Sequence, residues 1–140
     1  MKTLILSTVL FLSLFAVNGG ETANAQKKQR LNSTPKAFQT FYVKFRNAVI
    51  KGNKNTVASM TQFPFEYGFD AGDEGTFTKA QFIDRFDDFF GEERKIFAQK
   101  NPIFYFEAGT YNLTDYDDAS HYIFEKKGAG YKFTAYAAEP

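Results

Sequence analysis

Four β-forming runs separated by turn residues make up IFYFEAGTYNLTDYDDASHYIFEKKGAGYKFTAYA, residues 103–137. Each run is rich in aromatic or β-branched residues, which suit the pleated, half-buried surface of a strand. The runs cover residues 103–106, 111–113, 122–124 and 131–136. Between the last two, Lys127-Gly128-Ala129-Gly130 is typical of a hairpin turn. We therefore expect three or four antiparallel strands in succession.

Aromatic residues upstream of these runs recur at helical spacing instead. Phe38, Phe41 and Phe45 lie three and four residues apart, which predicts a helix with one aromatic face. A second aromatic helix is predicted directly after Thr78-Lys79-Ala80-Gln81, because Thr at an N-cap and Gln three residues later form a capping box. Gly91 interrupts it, and a further short helix is expected at residues 92–98.

The ends of the first helix and the start of a second one have local signals. Ser33 or Thr34 is expected to cap the first helix, with a proline in its first turn. Gly52 is the expected stop, since glycine readily adopts the left-handed conformation that ends many helices. Asn53 or Asn55 can then cap a short second helix.

Residues 63–69 alternate aromatic and other side chains, which is the pattern of a strand with one buried face. Pro64 cannot donate to a β-ladder, so we expect the strand to begin at or beyond it, or to lie at a sheet edge. Helices before a run of strands predict an α+β fold, with N-terminal helices packed against a curved, mainly antiparallel sheet.

The N-terminus predicts export. Lys2 precedes an apolar run at residues 4–17, and Ala23-Asn24-Ala25 has the small-x-small pattern that signal peptidase requires. We expect a signal peptide over residues 1–25, a flexible lead-in over 26–34 and a single domain over 35–137. The exported chain would act in the periplasm or be secreted, with no membrane anchor after cleavage.

The composition of the chain argues against nucleic-acid binding and indicates how an exported domain would be stabilised. The formal net charge of the whole chain is +1, so it lacks the basic excess of nucleic-acid-binding domains. The chain has no cysteine, which excludes disulfides and thiol chemistry. It has 18 Phe and 8 Tyr, so an exported domain of this size must be stabilised by an aromatic-rich core.

The order of elements resembles the NTF2-like (cystatin-like α+β) superfamily, and most closely its small exported bacterial proteins of unknown function. The resemblance rests on FxxFxxxFxxAV at residues 38–49, VASM at 57–60, FPF at 63–65 and TKxxF at 78–82. It implies a bent sheet that wraps around the first helices and leaves a conical cavity. The superfamily includes isomerase-like and dehydratase-like enzymes, ligand-binding domains and accessory proteins.

Five residues are candidates for ligand binding. In a conical fold some tyrosines of the late strands should face the cavity with their hydroxyls available to a ligand. The candidates are Tyr105, Tyr122, Tyr131, Tyr136 and His121. Alternation places His121 with Ile123 on the strand face opposite Tyr122. The alternatives are an aromatic core position for the tyrosines, with the hydroxyls reaching solvent, and a surface or strand-edge position for His121.

No catalytic residue, metal ligand or cofactor is assigned from the sequence. Carboxylates cluster at Asp84, Asp87 and Asp88, at residues 70–74 and at residues 115–118, but none has the spacing of a calcium loop. A solvated helix face and ordinary turn chemistry explain these clusters better than a metal or catalytic site does. A lone histidine without cysteine also argues against a structural zinc site.

Three functions follow as hypotheses. The first is a non-enzymatic module that binds a small molecule or a protein of the cell envelope through an aromatic-lined cavity or sheet face. The alternative is an isomerase- or lyase-like enzyme that uses one pocket carboxylate and a tyrosine hydroxyl. The third is a structural or assembly protein, with a homodimer formed through the sheet.

Overall fold

The structure is a computed structural model that describes residues 26–69, 72–91 and 94–139. The predicted signal peptide, residues 1–25, lies outside the described residues, as do parts of the predicted 70–74 loop and 92–98 helix. None of the described helices is long and apolar enough to cross a membrane.

The described chain is an α+β domain, as predicted. A 3-10 turn covers Leu31–Ser33, and the α-helices are α1 Lys36–Ile50, α2 Lys54–Ser59, α3 Lys79–Asp84, α4 Phe86–Phe90 and α5 Lys95–Ala98. The strands are β1 Lys27–Arg30, β2 Thr61–Gly68, β3 Glu74–Phe77, β4 Ile103–Glu107, β5 Thr110–Asp115, β6 Ser120–Lys127 and β7 Gly130–Ala138.

The seven strands of the described residues form one open sheet in the order β1-β4-β5-β6-β7-β2-β3. Strands β4 to β7 are successive antiparallel neighbours, which confirms the meander predicted from residues 103–137. The turn between β6 and β7 is the predicted hairpin, because Lys127 pairs with Gly130. The pairing of β2 with β7 is parallel and was not predicted.

The predicted end of α1 and the predicted cap of α2 are confirmed, but the predicted cap of α1 is not. Gly52 follows α1 with φ of 66°, and the Asn53 side chain accepts a hydrogen bond from the Thr56 N–H at the start of α2, as predicted. The predicted cap of α1 by Ser33 or Thr34 is wrong. Pro35 is the N-cap, and the Thr34 hydroxyl donates to the Leu31 carbonyl at 2.7 Å, which closes the preceding 3-10 turn instead.

The capping box before α3 is confirmed. Thr78 Oγ1 accepts from the Gln81 N–H, and Gln81 Oε1 accepts from the Thr78 N–H. The expected single helix is divided at Arg85 into α3 and α4, and Gly91 ends α4 as predicted. Both short helices present aromatic side chains to the sheet.

The prediction that Pro64 starts its strand or marks a sheet edge is wrong. Strand β2 begins at Thr61 and lies between β7 and β3. Its register with β7 shifts between Thr61 and Glu66, and its pairing with β3 starts only at Phe65. Pro64 therefore lies where the ladder is interrupted on both sides, so its missing N–H removes no ladder hydrogen bond.

The expected flexible lead-in at residues 26–34 is instead mostly regular structure. Strand β1 pairs with β4, from Lys27 opposite Phe106 to Arg30 opposite Ile103. The Leu31 N–H then donates to the Pro102 carbonyl at 2.9 Å. Polar and basic side chains are common on edge strands, where they face water and discourage pairing with other chains. Local periodicity therefore gave no signal for this strand.

The core lies between the helices and one face of the sheet, and it is mostly aromatic. We call this the helix-side face and the opposite one the outer face. Phe124 of β6 is fully buried at the centre, and its ring lies 5.1 Å from Phe45 and 5.3 Å from Phe133. Edge-to-face and tilted ring pairs of this kind stabilise a core beyond their area burial.

Candidate functional site

Two of the predicted ligand-binding tyrosines are core residues. Tyr122 and Tyr136 lie on the helix-side face and are 3% and 5% exposed. The Tyr122 hydroxyl donates to the Phe89 carbonyl at 2.6 Å, and the Tyr136 hydroxyl lies 3.1 Å from Ser120 Oγ. Burial raises the pKa of both phenols, so both stay protonated at neutral pH. Their rings fill the core and their hydroxyls are already engaged.

Tyr131 is half-buried near the start of β7 and belongs to the same aromatic layer. Its ring centroid lies 5.1 Å from that of Phe38 and 6.2 Å from that of Tyr111. Phe38 and Tyr111 in turn stack at 4.1 Å. Tyr131 therefore lies at the edge of the core beside α1, where its ring packs against the rings of Phe38 and Tyr111.

His121 lies on the outer face, opposite Tyr122 in orientation, as the alternation predicts. It is 8% exposed. Nδ1 lies 3.2 Å from both Asn112 Nδ2 and Thr114 Oγ1, and Nε2 lies 3.1 Å from Glu139 Oε1. Nδ1 is therefore within hydrogen-bond distance of an amide and a hydroxyl, and Nε2 is within reach of a carboxylate. Both ring nitrogens are thus engaged, which favours a structural role over general-base catalysis.

Tyr105 is the candidate that lines a groove in the part of the chain that the structure describes. Its side chain lies on the outer face of β4, next to Lys28 of β1 and opposite Asn112 of β5. Its hydroxyl is 2.7 Å from that of Tyr116, in the turn after β5. Tyr116 is 74% exposed, and its hydrogen bond with Tyr105 raises the pKa of its phenol to about 12.

The opening is a groove where two neighbouring strands separate. The pairing of β4 with β5 stops at Tyr105 opposite Asn112, although β4 starts earlier, at Ile103. Beyond that point, Ile103 of β4 still pairs with β1. Strand β5 continues to pair with β6 as far as Asp115. We call the resulting space of about 320 Å³ the strand-gap groove. It lies within the usual size range of small-molecule sites, roughly 300–1,000 Å³.

The strand-gap groove combines an apolar floor with charged sides. Its apolar lining comes from Ile96, Ile103 and Leu113. The remaining lining residues are Lys28, Arg30, Gln99, Asn101, Tyr105, Thr114, Asp115, Tyr116 and Asp117. The cations come from β1 and the carboxylates come from the end of β5 and its turn, so opposite charges border the groove on two sides.

Two of these four charged residues, Arg30 and Asp115, form local hydrogen bonds through their side chains, and these bonds leave their charges unpaired. Arg30 Nη1 donates to the Asn101 carbonyl at 3.4 Å. Asp115 Oδ1 accepts from the Asp117 N–H at 3.0 Å, which is the turn chemistry expected of this acidic segment. Among the described residues, no ion pair within 4.0 Å joins Lys28 or Arg30 to either carboxylate.

The carboxylate cluster of α3 and α4 is a charged helix surface. Asp87 forms ion pairs with Lys54 at 3.5 Å and with Arg94 at 3.0 Å, and Asp88 pairs with Arg85. In the part of the chain that the structure describes, no group of three or more His, Cys, Asp or Glu side chains could hold a metal ion.

No protein-family model matches the chain, and no curated protein matches it significantly. The site must therefore be interpreted from its own geometry.

Sequence reasoning missed most of the groove. Lys28 and Arg30 fall in the segment expected to be a flexible lead-in, and Tyr116 falls in an acidic turn. Lys28 and Arg30 are two residues apart, which would place both on one face of a strand, but no sequence pattern predicted a strand there. Nothing in the local sequence connects that strand with the turn after β5.

Proposed function

We propose that the protein is an exported, non-enzymatic binding module, and that the strand-gap groove is its binding site. The observation that supports this proposal most strongly is that the groove combines an apolar floor, charged sides and two tyrosine hydroxyls. Such a combination is typical of small-molecule sites, in which apolar contacts supply affinity and a few polar groups fix orientation.

The packing of the helix-side face supports the groove over a conical cavity. Rings of Phe38, Tyr42, Phe45, Phe104 and Phe124 occupy the region between α1 and the sheet, and all are fully buried. The order of helices and strands remains consistent with an NTF2-like fold, which we retain as a proposal. Within that proposal, this chain has filled the cavity with aromatic side chains.

The enzyme alternative has less support. It requires a desolvated carboxylate beside a tyrosine hydroxyl, and no Asp or Glu is among the buried residues of the described ranges. Asp115 is the carboxylate of the groove nearest to this requirement. Its Oδ1 already accepts from a backbone N–H in the turn.

A dye experiment tests the groove. Anilinonaphthalene sulfonate, which carries an anion on an aromatic body, should bind the exported chain with one site and gain fluorescence. Thr114→Trp should abolish the signal because it fills the groove. Thr40→Trp, on the exposed surface of α1, should leave it unchanged. Equal dye binding by wild type and Thr114→Trp, with unaltered melting temperatures, would contradict the proposed site.

Export is tested by the mass of the processed protein. Expressed with its leader in a bacterial host, the chain should accumulate beyond the inner membrane with Gln26 as its first residue. Ala25→Leu should block cleavage, since signal peptidase accepts only small side chains there. Ala16→Leu, within the apolar run, should be processed normally. Retention of an intact leader by the wild type would contradict the proposal.

A further inference from the structure

We infer that the strand-gap groove takes a small zwitterion, a molecule in which a short apolar spacer joins one carboxylate to one ammonium group. ω-Amino acids, whose ammonium group lies several methylenes from the carboxylate, have this chemistry. The inference rests on the proposed function, because it names the ligand class of the same groove. It is carried by the arrangement of charges around the opening.

The cationic side of the groove is built by one strand. Lys28 and Arg30 are two residues apart on β1, so both side chains lie on the outer face beside their cross-strand neighbours Tyr105 and Ile103. A planar guanidinium matches a carboxylate with two parallel hydrogen bonds, and a lysine adds a compact point charge. This side is suited to the carboxylate end of a ligand.

The anionic side is built by the end of β5 and its turn. Asp115 is fixed through its bond from the Asp117 N–H. The Asp117 carboxylate has no hydrogen bond or ion pair to another residue within the described ranges. An ammonium group would give both carboxylates a partner of opposite charge.

The separation of the two sides favours a ligand charged at both ends over a singly charged ligand with the same apolar spacer. No ion pair joins Lys28 or Arg30 to Asp115 or Asp117, so the nitrogen atoms of the cations lie more than 4.0 Å from the carboxylate oxygens. An anion bound at Lys28 and Arg30 would also feel repulsion from Asp115 and Asp117, and a cation would meet the reverse. A zwitterion gains attraction at both ends, which is the usual basis of electrostatic specificity.

The floor and rim fit the rest of such a molecule. Ile96, Ile103 and Leu113 offer apolar contact to a methylene spacer. The hydrogen-bonded hydroxyls of Tyr105 and Tyr116 lie at the rim, and Tyr116 is exposed enough to turn aside for a ligand. A spacer of several methylenes would let the two charges reach the two sides.

Calorimetry and amide NMR with three probes test the inference. The probes are ε-aminocaproate, caproate and hexylammonium, which share the spacer and differ in charge. At low salt, ε-aminocaproate should bind about five- to tenfold more tightly than either singly charged probe. It should shift the amide signals of Thr114 and Tyr116.

Charge variants should separate the two ends of the ligand. Arg30→Gln should weaken ε-aminocaproate but not hexylammonium. Asp117→Asn should weaken the binding of ε-aminocaproate and strengthen that of caproate, because it removes one negative charge from the groove. The backbone N–H of residue 117 can still donate to Asp115 in this variant. Lys51→Gln and Glu74→Gln, exposed residues outside the groove lining, are the matched controls.

The outcomes distinguish this inference from the proposed function. If caproate binds the groove as tightly as ε-aminocaproate, the groove is a binding site but the zwitterion inference is overturned. The same holds if the dye binds there and ε-aminocaproate does not. If neither dye nor any probe shifts groove signals, both the inference and the proposed function fall.

Discussion

Tyr42 and Tyr122 place two hydroxyls in one aromatic core with opposite hydrogen-bonding outcomes. The Tyr42 hydroxyl is fully buried and has no partner among the described residues. The Tyr122 hydroxyl donates to the Phe89 carbonyl, which is one of the last carbonyls of α4. A buried polar group without a partner costs roughly 1–3 kcal/mol, whereas a satisfied bond contributes about 1 kcal/mol.

Removing each hydroxyl should therefore change stability in opposite directions. Tyr42→Phe is expected to raise the free energy of unfolding by about 1 kcal/mol, because it removes an unpaired polar atom. Tyr122→Phe is expected to lower it by about 1–2 kcal/mol, because the Phe89 carbonyl loses its partner. Urea unfolding measures both. Equal destabilisation by the two variants would show that the Tyr42 hydroxyl is satisfied in solution.

The same two phenols predict loss of stability at alkaline pH. Burial raises the pKa of both above the ordinary value of 10.0. The folded state holds these protons more tightly than the unfolded state, so the stabilisation is complete below about pH 10 and is lost as pH rises beyond it. Melting temperatures between neutral pH and pH 11 or so should fall at the alkaline end. The fall should be smaller in Tyr42→Phe, and an identical fall would contradict this account.

At the scale of elements, local signals were accurate where a few neighbouring residues decide the conformation. The capping box at Thr78 and the turn at Gly52 needed no information from elsewhere in the chain. Strand β1 and the interior position of β2 were missed. Both depend on which strand lies alongside, and Pro64 is tolerated in β2 only because the ladder is interrupted there.

Gly91 provides a test at this scale. It ends α4 with φ of 65° and ψ of −179°, a backbone conformation that is essentially restricted to glycine. Gly91→Ala should lower the free energy of unfolding by roughly 1–3 kcal/mol through backbone strain alone, since an added Cβ would meet no atom within 4 Å. Gly130→Ala is the matched control, with equally open surroundings and no positive φ. Similar losses in both variants would contradict the strain argument.

At the scale of the whole molecule, one aromatic network joins the helices to the sheet. The ring of Phe124 lies within 6.3 Å of rings from α1, β4 and β7, including those of Phe45, Phe104 and Phe133. Because the chain has no cysteine, no disulfide supplements this packing. The described domain should therefore unfold as one cooperative unit.

A substitution at the centre of this network should affect every element together. Phe124→Leu is expected to lower the free energy of unfolding by about 1–3 kcal/mol, because it leaves space that neighbouring rings cannot fill. Near- and far-ultraviolet circular dichroism should still give one midpoint. Phe63→Leu, at a half-buried position whose ring contacts Phe82, should cost less. Separate transitions in the two signals would contradict a single shared core.

The chain's local pattern was enough to predict the α+β class, the late meander, the capping box and the aromatic core. These properties depend on side-chain periodicity and turn chemistry within a few residues. Tertiary contacts decided that β1 pairs with β4, that β2 lies parallel to β7, and that Tyr122 and Tyr136 fill the core whereas Tyr105 borders a groove. The groove joins Lys28 and Arg30 to the turn at Asp117, which are far apart along the chain. Strand pairing brings these segments together, and its free energy arises from contacts between distant residues that no local pattern records.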